Sequence, residues 1–354
     1  MGRARWIIIA VIATLLGVSI GILLFFHYSD SRKLLFPIRK HAVFASGDNH
    51  PLPPLHVTGN RIAQDRNRPF QLRGVTIPDP SYLDDRNLFG DTLFRRVRQL
   101  GANLVRVPVS PDQWLSIHDY LWRYLDPAAR WAAENHLYLV IDWHASGNID
   151  TGFGSHHAYA AIDLKQTTFA FWDEVSSYFR DSPGVLFEVF DEPVGIDAET
   201  WTGYADDLAA TIRRNAPNQM VIVDGIDYGR DLSPFGRKRV TGGNIAYGVR
   251  ILPTGAKSNW DHLFGLVSRT IPVVVTEWGY VTNPVRSNQD LKGTAAGFGG
   301  PVVSYLGSHG IGWIAAWFDD RWQPAMFDTE RKPNAYGSFL FETLRDSRAQ
   351  PSGR

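Results

Sequence analysis

Eight short apolar runs, rich in β-branched and aromatic residues, recur between residues 70 and 317. Turn residues bound each run, and the runs have the length of buried strands, so the pattern predicts a strand in each. The predicted strands are Phe70–Ile77, Asn103–Val109, Leu137–Asp142, Val185–Phe190, Met220–Asp224, Asn244–Val249, Ile271–Thr276 and Ile311–Trp317.

Segments of helical periodicity lie between these runs. Apolar residues recur on one helical face in Thr168–Arg180, and a second helix is predicted over Ala198–Asn215. Strict alternation of strands and helices implies parallel strands joined by helical crossovers. Eight such units predict an α/β fold of the (β/α)8 type, a TIM barrel, over residues 55–346, followed by a frayed tail at residues 347–354.

The N-terminal part of the chain has a different pattern. Residues 6–26 form an uncharged, largely apolar run that matches the ~20 residues a helix needs to cross a bilayer. We predict an uncleaved single-pass transmembrane helix within an anchor of residues 1–28. The alternative is a cleaved signal peptide, whose apolar region is only ~7 to 15 residues long. Residues 29–54 are basic and contain proline, which predicts a stalk.

Composition excludes several classes of function. The 36 Lys and Arg residues balance the 36 Asp and Glu residues, whereas a nucleic-acid partner would call for a basic surface. The chain has no cysteine, which excludes disulfides, thiolate catalysis and Cys-ligated zinc. His156 and His157 are adjacent but lack an evident carboxylate partner, so we predict no metal site and no cofactor.

The ends of the predicted strands carry the candidate chemistry, because the active site of a (β/α)8 barrel forms at the C-terminal ends of its strands. Glu192 and Glu277 each stand where an apolar run gives way to a Pro or Gly turn. A carboxylate inside such a run would be buried at high cost, so their position favours a role at the rim. The other charged or aromatic residues at these ends are Arg106, His144, Asp191, Arg250 and Trp317.

Six motifs, in order and spacing, cover almost the whole chain after the stalk. They are Gln71–Thr76, Gly101–Pro108, Leu137–His144, Phe187–Pro193, Val274–Gly279 and Gly312–Trp317. Together they resemble glycoside hydrolase family 5, the cellulase-like group of retaining barrel enzymes. The resemblance implies that Glu192 is the acid/base and Glu277 the nucleophile. It also implies that Arg106 holds the nucleophile ionised, that His144 lines the cleft and that Trp317 stacks on the sugar.

Three positions depart from the family pattern. Asp191 replaces the asparagine that precedes the acid/base, and Arg250 and Leu252 stand where the family usually has a histidine and then a tyrosine. An asparagine can donate a hydrogen bond to a sugar hydroxyl, whereas an ionised aspartate can only accept one. We therefore predict that Asp191 and Arg250 form a charge pair that replaces an Asn and His pair, and we expect both residues to bind substrate.

The leading functional prediction is a membrane-anchored endo-β-glycanase, similar to an endo-β-1,4-glucanase, that cleaves a β-linked glucan or a related exopolysaccharide. Its expected partners are that polysaccharide, the membrane through residues 6–26, and polysaccharide-export machinery. Two alternatives stay open: a tethered glycan-binding protein on a degenerate barrel, and a transglycosylase. The basic residues flanking the anchor favour a cytoplasmic catalytic domain, but large domains can translocate regardless of charge, so we expect a periplasmic or extracellular one.

Overall fold

Eight parallel strands close into a barrel, as the sequence predicts. The computed structural model describes residues 52–254 and 259–349. In chain order the strands are β1 (His56–Thr58), β2 (Arg61–Gln64), β3 (Arg68–Pro69), β4 (Arg73–Thr76), β5 (Leu104–Val109), β6 (Tyr138–Trp143), β7 (Ser146–Gly147), β8 (Val185–Glu188), β9 (Glu192–Pro193), β10 (Val221–Asp224), β11 (Ile245–Ile251), β12 (Val273–Trp278) and β13 (Gly312–Ala315). The barrel order is β4-β5-β6-β8-β10-β11-β12-β13, and β13 pairs with β4 to close it.

Helices fill the crossovers between the barrel strands. The α-helices are Pro80–Asp84, Asp91–Gln99, Pro111–Ser116, Asp126–Glu134, Leu164–Tyr178, Ala198–Asn215, Ile226–Gly229, Gly300–His309 and Ala335–Ala349. Shorter π and 3-10 segments are Asp65–Asn67, Leu121–Leu125, His157–Tyr159, Ser233–Gly236, Asp261–Gly265, Val267–Arg269, Arg286–Leu291 and Ala295–Gly299. The predicted helix Ala198–Asn215 is confirmed at both ends. Its start is fixed by the side chain of Asp197, which accepts hydrogen bonds from the backbone N–H groups of Glu199 and Thr200.

All eight predicted strands are present, with shifted ends. The largest difference is at the first, where Phe70–Ile77 was expected and β4 covers Arg73–Thr76. Phe70 instead donates its backbone N–H to the carbonyl of Ile62 at 2.9 Å, so it belongs to the small antiparallel sheet β1-β2-β3.

That small sheet covers the lower end of the barrel. Leu55 and Ile62 pack with the apolar side chains that fill the lower barrel interior. Tyr138 accepts a hydrogen bond from Gln64 and donates one to the carbonyl of Pro53, both at 2.7 Å. The barrel domain therefore includes residues before the predicted boundary at 55.

Both ends of the chain extend past the described part. The last helix continues beyond the predicted domain end at residue 346, to Ala349. Within residues 52–254 and 259–349, no helix is long and apolar enough to cross a membrane. The predicted anchor at residues 6–26 and most of the stalk lie outside the described residues.

Candidate active site

The upper half of the barrel interior is polar, whereas the lower half is apolar. Side chains alternate along a strand, so the residue two positions beyond an interior apolar side chain also faces inward. Leu104 on β5 is thus followed by Arg106, and Val140 on β6 is followed by Asp142. The same spacing places Glu188, Asp224 and Thr276 in this layer, and all of these side chains are buried. These five side chains form a polar layer beneath the mouth of the barrel, the charged floor: Arg106, Asp142, Glu188, Asp224 and Thr276.

Glu277 reaches the mouth through an irregularity in β12. Val249 pairs with Val275, but the next residue, Arg250, pairs with Glu277, so Thr276 is an extra residue on β12. Such a bulge lets two consecutive side chains point to the same side. Thr276 accordingly donates a hydrogen bond to Asp224 in the interior at 2.9 Å, while Glu277 contacts Arg250.

Glu192 is held at the mouth by a second, smaller sheet. It is the first residue of β9, which pairs with β7 in a parallel arrangement. Its backbone N–H donates to the carbonyl of Ala145 at 3.0 Å, so the segment after β8 is tied to the segment after β6. The Glu192 side chain is 18% exposed, whereas that of Glu277 is 2% exposed. Glu192 therefore faces the cleft, and Glu277 lies at its floor.

Arg250 joins the two glutamates. Its Nη1 contacts Glu192 Oε1, and its Nη2 lies 2.6 Å from Glu277 Oε1. A guanidinium is a rigid planar fork, so both carboxyl groups lie within the span of one side chain. Among the described residues, Arg250 forms no ion pair with Asp191. The predicted Asp191–Arg250 pair is therefore not a direct ion pair, although the charge of Arg250 helps to lower the pKa of Asp191.

Arg106 was expected to act on Glu277, but its closest contacts are with other acids. Its Nε and Nη2 each lie 2.7 Å from an oxygen of Glu188, a bidentate pair, and Nη2 is also 2.5 Å from Asp191. Its Nη1 lies 3.9 Å from Glu277. Burial lowers the pKa of the Arg106 guanidinium, but its acidic neighbours raise that pKa by more, to well above the usual value. The expected ion pair between Arg106 and Glu277 is thus present at 3.9 Å, but Arg250 makes the closer contact with Glu277.

His144 and Asp191 form a second charged group beside Arg106. His144 Nδ1 lies 2.8 Å from Asp142 and 3.2 Å from Asp191. Burial disfavours the charged ring, but these two carboxylates outweigh that effect and raise the pKa of His144 to about 9. Burial likewise opposes ionisation of Asp191, yet His144 and Arg106 hold its pKa below the usual value. The negative charge that Asp191 adds is therefore balanced by His144 and Arg106, with a further contribution from Arg250.

Three acids of the charged floor were missed by the sequence analysis. Burial raises the pKa of Asp142 and of Glu188, and burial together with the nearby Glu188 raises the pKa of Asp224 well above its usual range. A Cβ at Gly248 would lie 2.1 Å from Asp224 Oδ1, so glycine is needed there. Glu188 inside an apolar run was the available signal, since a carboxylate there needs a buried partner.

An open cleft of about 510 Å³ lies above these residues. Its lining comes from the loops after β4, β5, β6, β8, β11 and β13: Asp79, Ser81, Tyr82, Asp85, Ser110, Asp112, Gln113, His144, Ser146, His156, Ala158, Tyr159, Asp191, Glu192, Arg250 and Trp322. Trp317 was expected to stack on the sugar, but it is 5% exposed and packs edge-on against His144 and Trp322. The half-buried Trp322, with Tyr82 beside it at 5.4 Å, is the aromatic surface of the cleft.

Asp142, His144 and Asp191 are the one group in the described part of the chain with metal-ligating atoms close together, all within 4.8 Å. Arg106 Nη2 already lies 3.0 Å from Asp142 and 2.5 Å from Asp191. This guanidinium supplies the positive charge that a metal ion would bring, so the group is organised as an ion-pair network.

The raised pKa of His144 predicts a loss of stability at alkaline pH. Because folding raises this pKa from 6.5 to about 9, the stabilisation is complete below about pH 6.5 and is lost as the pH rises through 9. We expect the free energy of unfolding to fall by up to about 3 kcal/mol over this window, measured by urea denaturation at several pH values. His144→Gln should remove much of the fall. In His156→Gln the fall in the free energy of unfolding should persist. Burial lowers the pKa of His156, so its titration changes stability at acid pH. An undiminished fall in His144→Gln would contradict the assignment.

Comparison with known proteins adds independent findings. The family model described as Cellulase (glycosyl hydrolase family 5) matches residues 63–320. Endoglucanase N of Pectobacterium atrosepticum is 23% identical over 324 residues, which cover 88% of this chain and 63% of that protein. Endoglucanase MaCel5A of Microbulbifer sp. (strain ALW1) is 25% identical over 278 residues, which cover 73% of this chain and 50% of that protein. The chain thus spans between half and two thirds of these relatives.

Solved structures match the barrel closely. The β-glucanase SdGluc5_26A of Saccharophagus degradans, solved in complex with cellotetraose, aligns with a TM-score of 0.80 and 26% identity, over 87% of this chain and 97% of that one. The catalytic domain of the Thermobifida fusca endoglucanase Cel5A aligns with a TM-score of 0.68 and 18% identity, over 82% of this chain and 97% of that one. At that identity, the second match shows a shared fold.

Proposed function

Because the chain belongs to glycosyl hydrolase family 5, the cellulase family, we propose that it is a retaining hydrolase that cleaves internal bonds of a β-1,4-linked glucan. One observation carries the proposal: a single guanidinium, that of Arg250, contacts both Glu192 and Glu277. Retaining hydrolysis needs two carboxyl groups only ~5 to 5.5 Å apart, and contact with one guanidinium brings these two close together. The open cleft above them has room for a chain of sugars.

Exposure divides the roles of the two glutamates. We assign the nucleophile to Glu277, whose carboxylate lies at the floor of the cleft and attacks the anomeric carbon as the glycosidic C–O bond breaks. Glu192 faces the cleft and gives its proton to the departing oxygen. It then removes a proton from water, whose oxygen displaces Glu277 from the sugar. The residue that exchanges protons with solvent must be the more exposed of the two, and Glu192 is.

The neighbouring residues position this pair. Arg250 is the cation in contact with Glu277, and we assign it, with Asp191 and His144, to substrate binding at the reacting bond. Trp322 and Tyr82 supply flat apolar surface on which a sugar ring can stack. Trp317 supports this surface through its edge-on contact with Trp322. Arg106 is a positioning residue, because it binds Asp191 and Glu188.

The substrate and its location are inferred from context. The relatives are endoglucanases, and a related structure holds cellotetraose, which supports a β-glucan as substrate. We further propose, from the apolar run at residues 6–26, that the enzyme is anchored in the membrane with its barrel in the periplasm or outside the cell. There it would trim a β-linked exopolysaccharide beside export machinery.

The test of this proposal separates the acid from the nucleophile. In Glu192→Gln, made in the full chain, we expect turnover of a soluble β-1,4-glucan to fall by about 10² to 10⁴-fold, the usual contribution of a general acid. Cleavage of a dinitrophenyl β-cellobioside should fall far less, because that leaving group needs no proton. Glu199→Gln, at an exposed glutamate that does not line the cleft, is the matched control.

Three outcomes would go against the proposal. If Glu192→Gln lowered the rate equally on both substrates, Glu192 would not be the acid. Binding of polymers by the wild-type chain without release of reducing ends would favour the glycan-binding protein. Transfer of sugar to added oligosaccharides in preference to water would favour the transglycosylase.

A further inference from the structure

Arg250 lies between the two groups that must both reach the reacting sugar. Its guanidinium contacts Glu192 through Nη1 and Glu277 through Nη2. On the proposed function, the anomeric carbon must approach Glu277 while the glycosidic oxygen approaches Glu192. The guanidinium therefore has to leave at least one of the glutamates before the bond can be cleaved.

Among the described residues, the two glutamates are the ion-pair partners of Arg250, and Asp191 attracts it without forming an ion pair. Its Nε is buried and has no hydrogen-bond partner among the described residues. The side chain is 22% exposed and lines the cleft, so it can turn toward a ligand there. When it turns, it loses its ion pairs with Glu192 and Glu277, and neutral sugar hydroxyls replace these poorly. A carboxylate replaces them well, because it matches the guanidinium fork.

The charges around the cleft are distributed unevenly. Two acids of the cleft rim, Asp85 and Asp112, follow β4 and β5 and form no ion pair with any described residue. Arg250 belongs to β11, which lies across the barrel from those strands. A negative group on the substrate would thus be repelled by Asp85 and Asp112, and Arg250 is the arginine that lines the opposite side of the cleft.

We propose that the preferred substrate carries a carboxylate on the sugar next to the reacting bond, and that this carboxylate draws Arg250 away from Glu192 and Glu277. This inference rests on the proposed glucanase function and specifies its substrate class, an acidic β-linked glucan. Arg250 is then a specificity residue that keeps the two glutamates paired until a charged substrate arrives.

The experiment compares two soluble β-1,4-glucans of matched chain length: carboxymethyl cellulose, which is acidic, and hydroxyethyl cellulose, which is neutral. For the full wild-type chain we expect kcat/KM to be at least about tenfold higher on the acidic polymer, with the preference weakening as salt is added. In Arg250→His, which restores the residue usual in the family, and in Arg250→Gln, the preference should fall close to unity. Arg237→Gln removes an exposed positive charge outside the cleft and should keep the wild-type preference.

The outcomes separate this inference from the proposed function. Equal wild-type activity on both polymers, or a preference that survives in Arg250→Gln, overturns the inference and leaves the glucanase intact. If neither polymer is cleaved, the glucanase proposal fails. The inference is then judged by affinity electrophoresis of the same chains in the two polymers, where tighter binding of the acidic polymer that depends on Arg250 supports it and equal binding overturns it.

Discussion

Glu277→Gln is expected to lower turnover of a β-1,4-glucan by more than about 10⁴-fold, the scale seen when a covalent nucleophile is removed. Glutamine keeps the size of the side chain but cannot attack the anomeric carbon. The neighbouring carboxylate of Glu192 acts as the acid/base in this mechanism, so it does not replace the missing nucleophile. The measurement is the initial rate of reducing-end release by the full chain.

A matched control and a substrate-binding measurement make this result specific. Glu199→Gln changes the same chemistry on the surface and should retain full activity. Glu277→Gln should still bind the polymer in affinity electrophoresis, because the cleft lining is unchanged. A variant that retains more than a tenth of the wild-type rate would exclude Glu277 as nucleophile.

Arg106→Met is expected to reduce the free energy of unfolding by about 3 to 5 kcal/mol, the cost of breaking a buried ion pair by removing one partner. The change leaves Glu188, Asp191 and Asp142 close together and buried without their shared cation. The measurement is urea denaturation at neutral pH.

Arg123→Met provides the comparison, because Arg123 is 53% exposed and pairs with Asp84 on the surface. Its loss should change the free energy of unfolding by less than about 1 kcal/mol. Equal effects of the two substitutions would mean that the buried network contributes no more than a surface pair.

The barrel and the two glutamates were predictable because they depend on local patterns. Each strand is an apolar run long enough to be buried. The helix Ala198–Asn215 is bounded by residues next to it in the sequence that cap its start and end it. Glu192 and Glu277 stand at run ends, and run ends share one rim in a parallel barrel. Both glutamates accordingly face the same guanidinium.

The pairing of charges was not predictable from the same patterns. Which acid an arginine binds depends on side-chain reach and on the extra residue Thr276 in β12, neither of which changes the apolar pattern. Arg106 thus bonds to Glu188, and Arg250 reaches the glutamates rather than Asp191. The choice between Trp317 and Trp322 as stacking surface likewise depends on how the loop after β13 folds, which tryptophan content does not reveal.

The proposed retaining mechanism requires Glu277 to form a covalent bond to the sugar. The most direct measurement is mass spectrometry of the full chain after reaction with a 2-fluoro-cellobioside that carries a dinitrophenyl leaving group, followed by peptide mapping. We expect a mass increase of one 2-deoxy-2-fluorocellobiosyl group located on Glu277, which is lost when transfer to an acceptor sugar or slow hydrolysis releases the enzyme. Hydrolysis of the reagent without any modified peptide, or a glycosyl group on a different carboxylate, would contradict it.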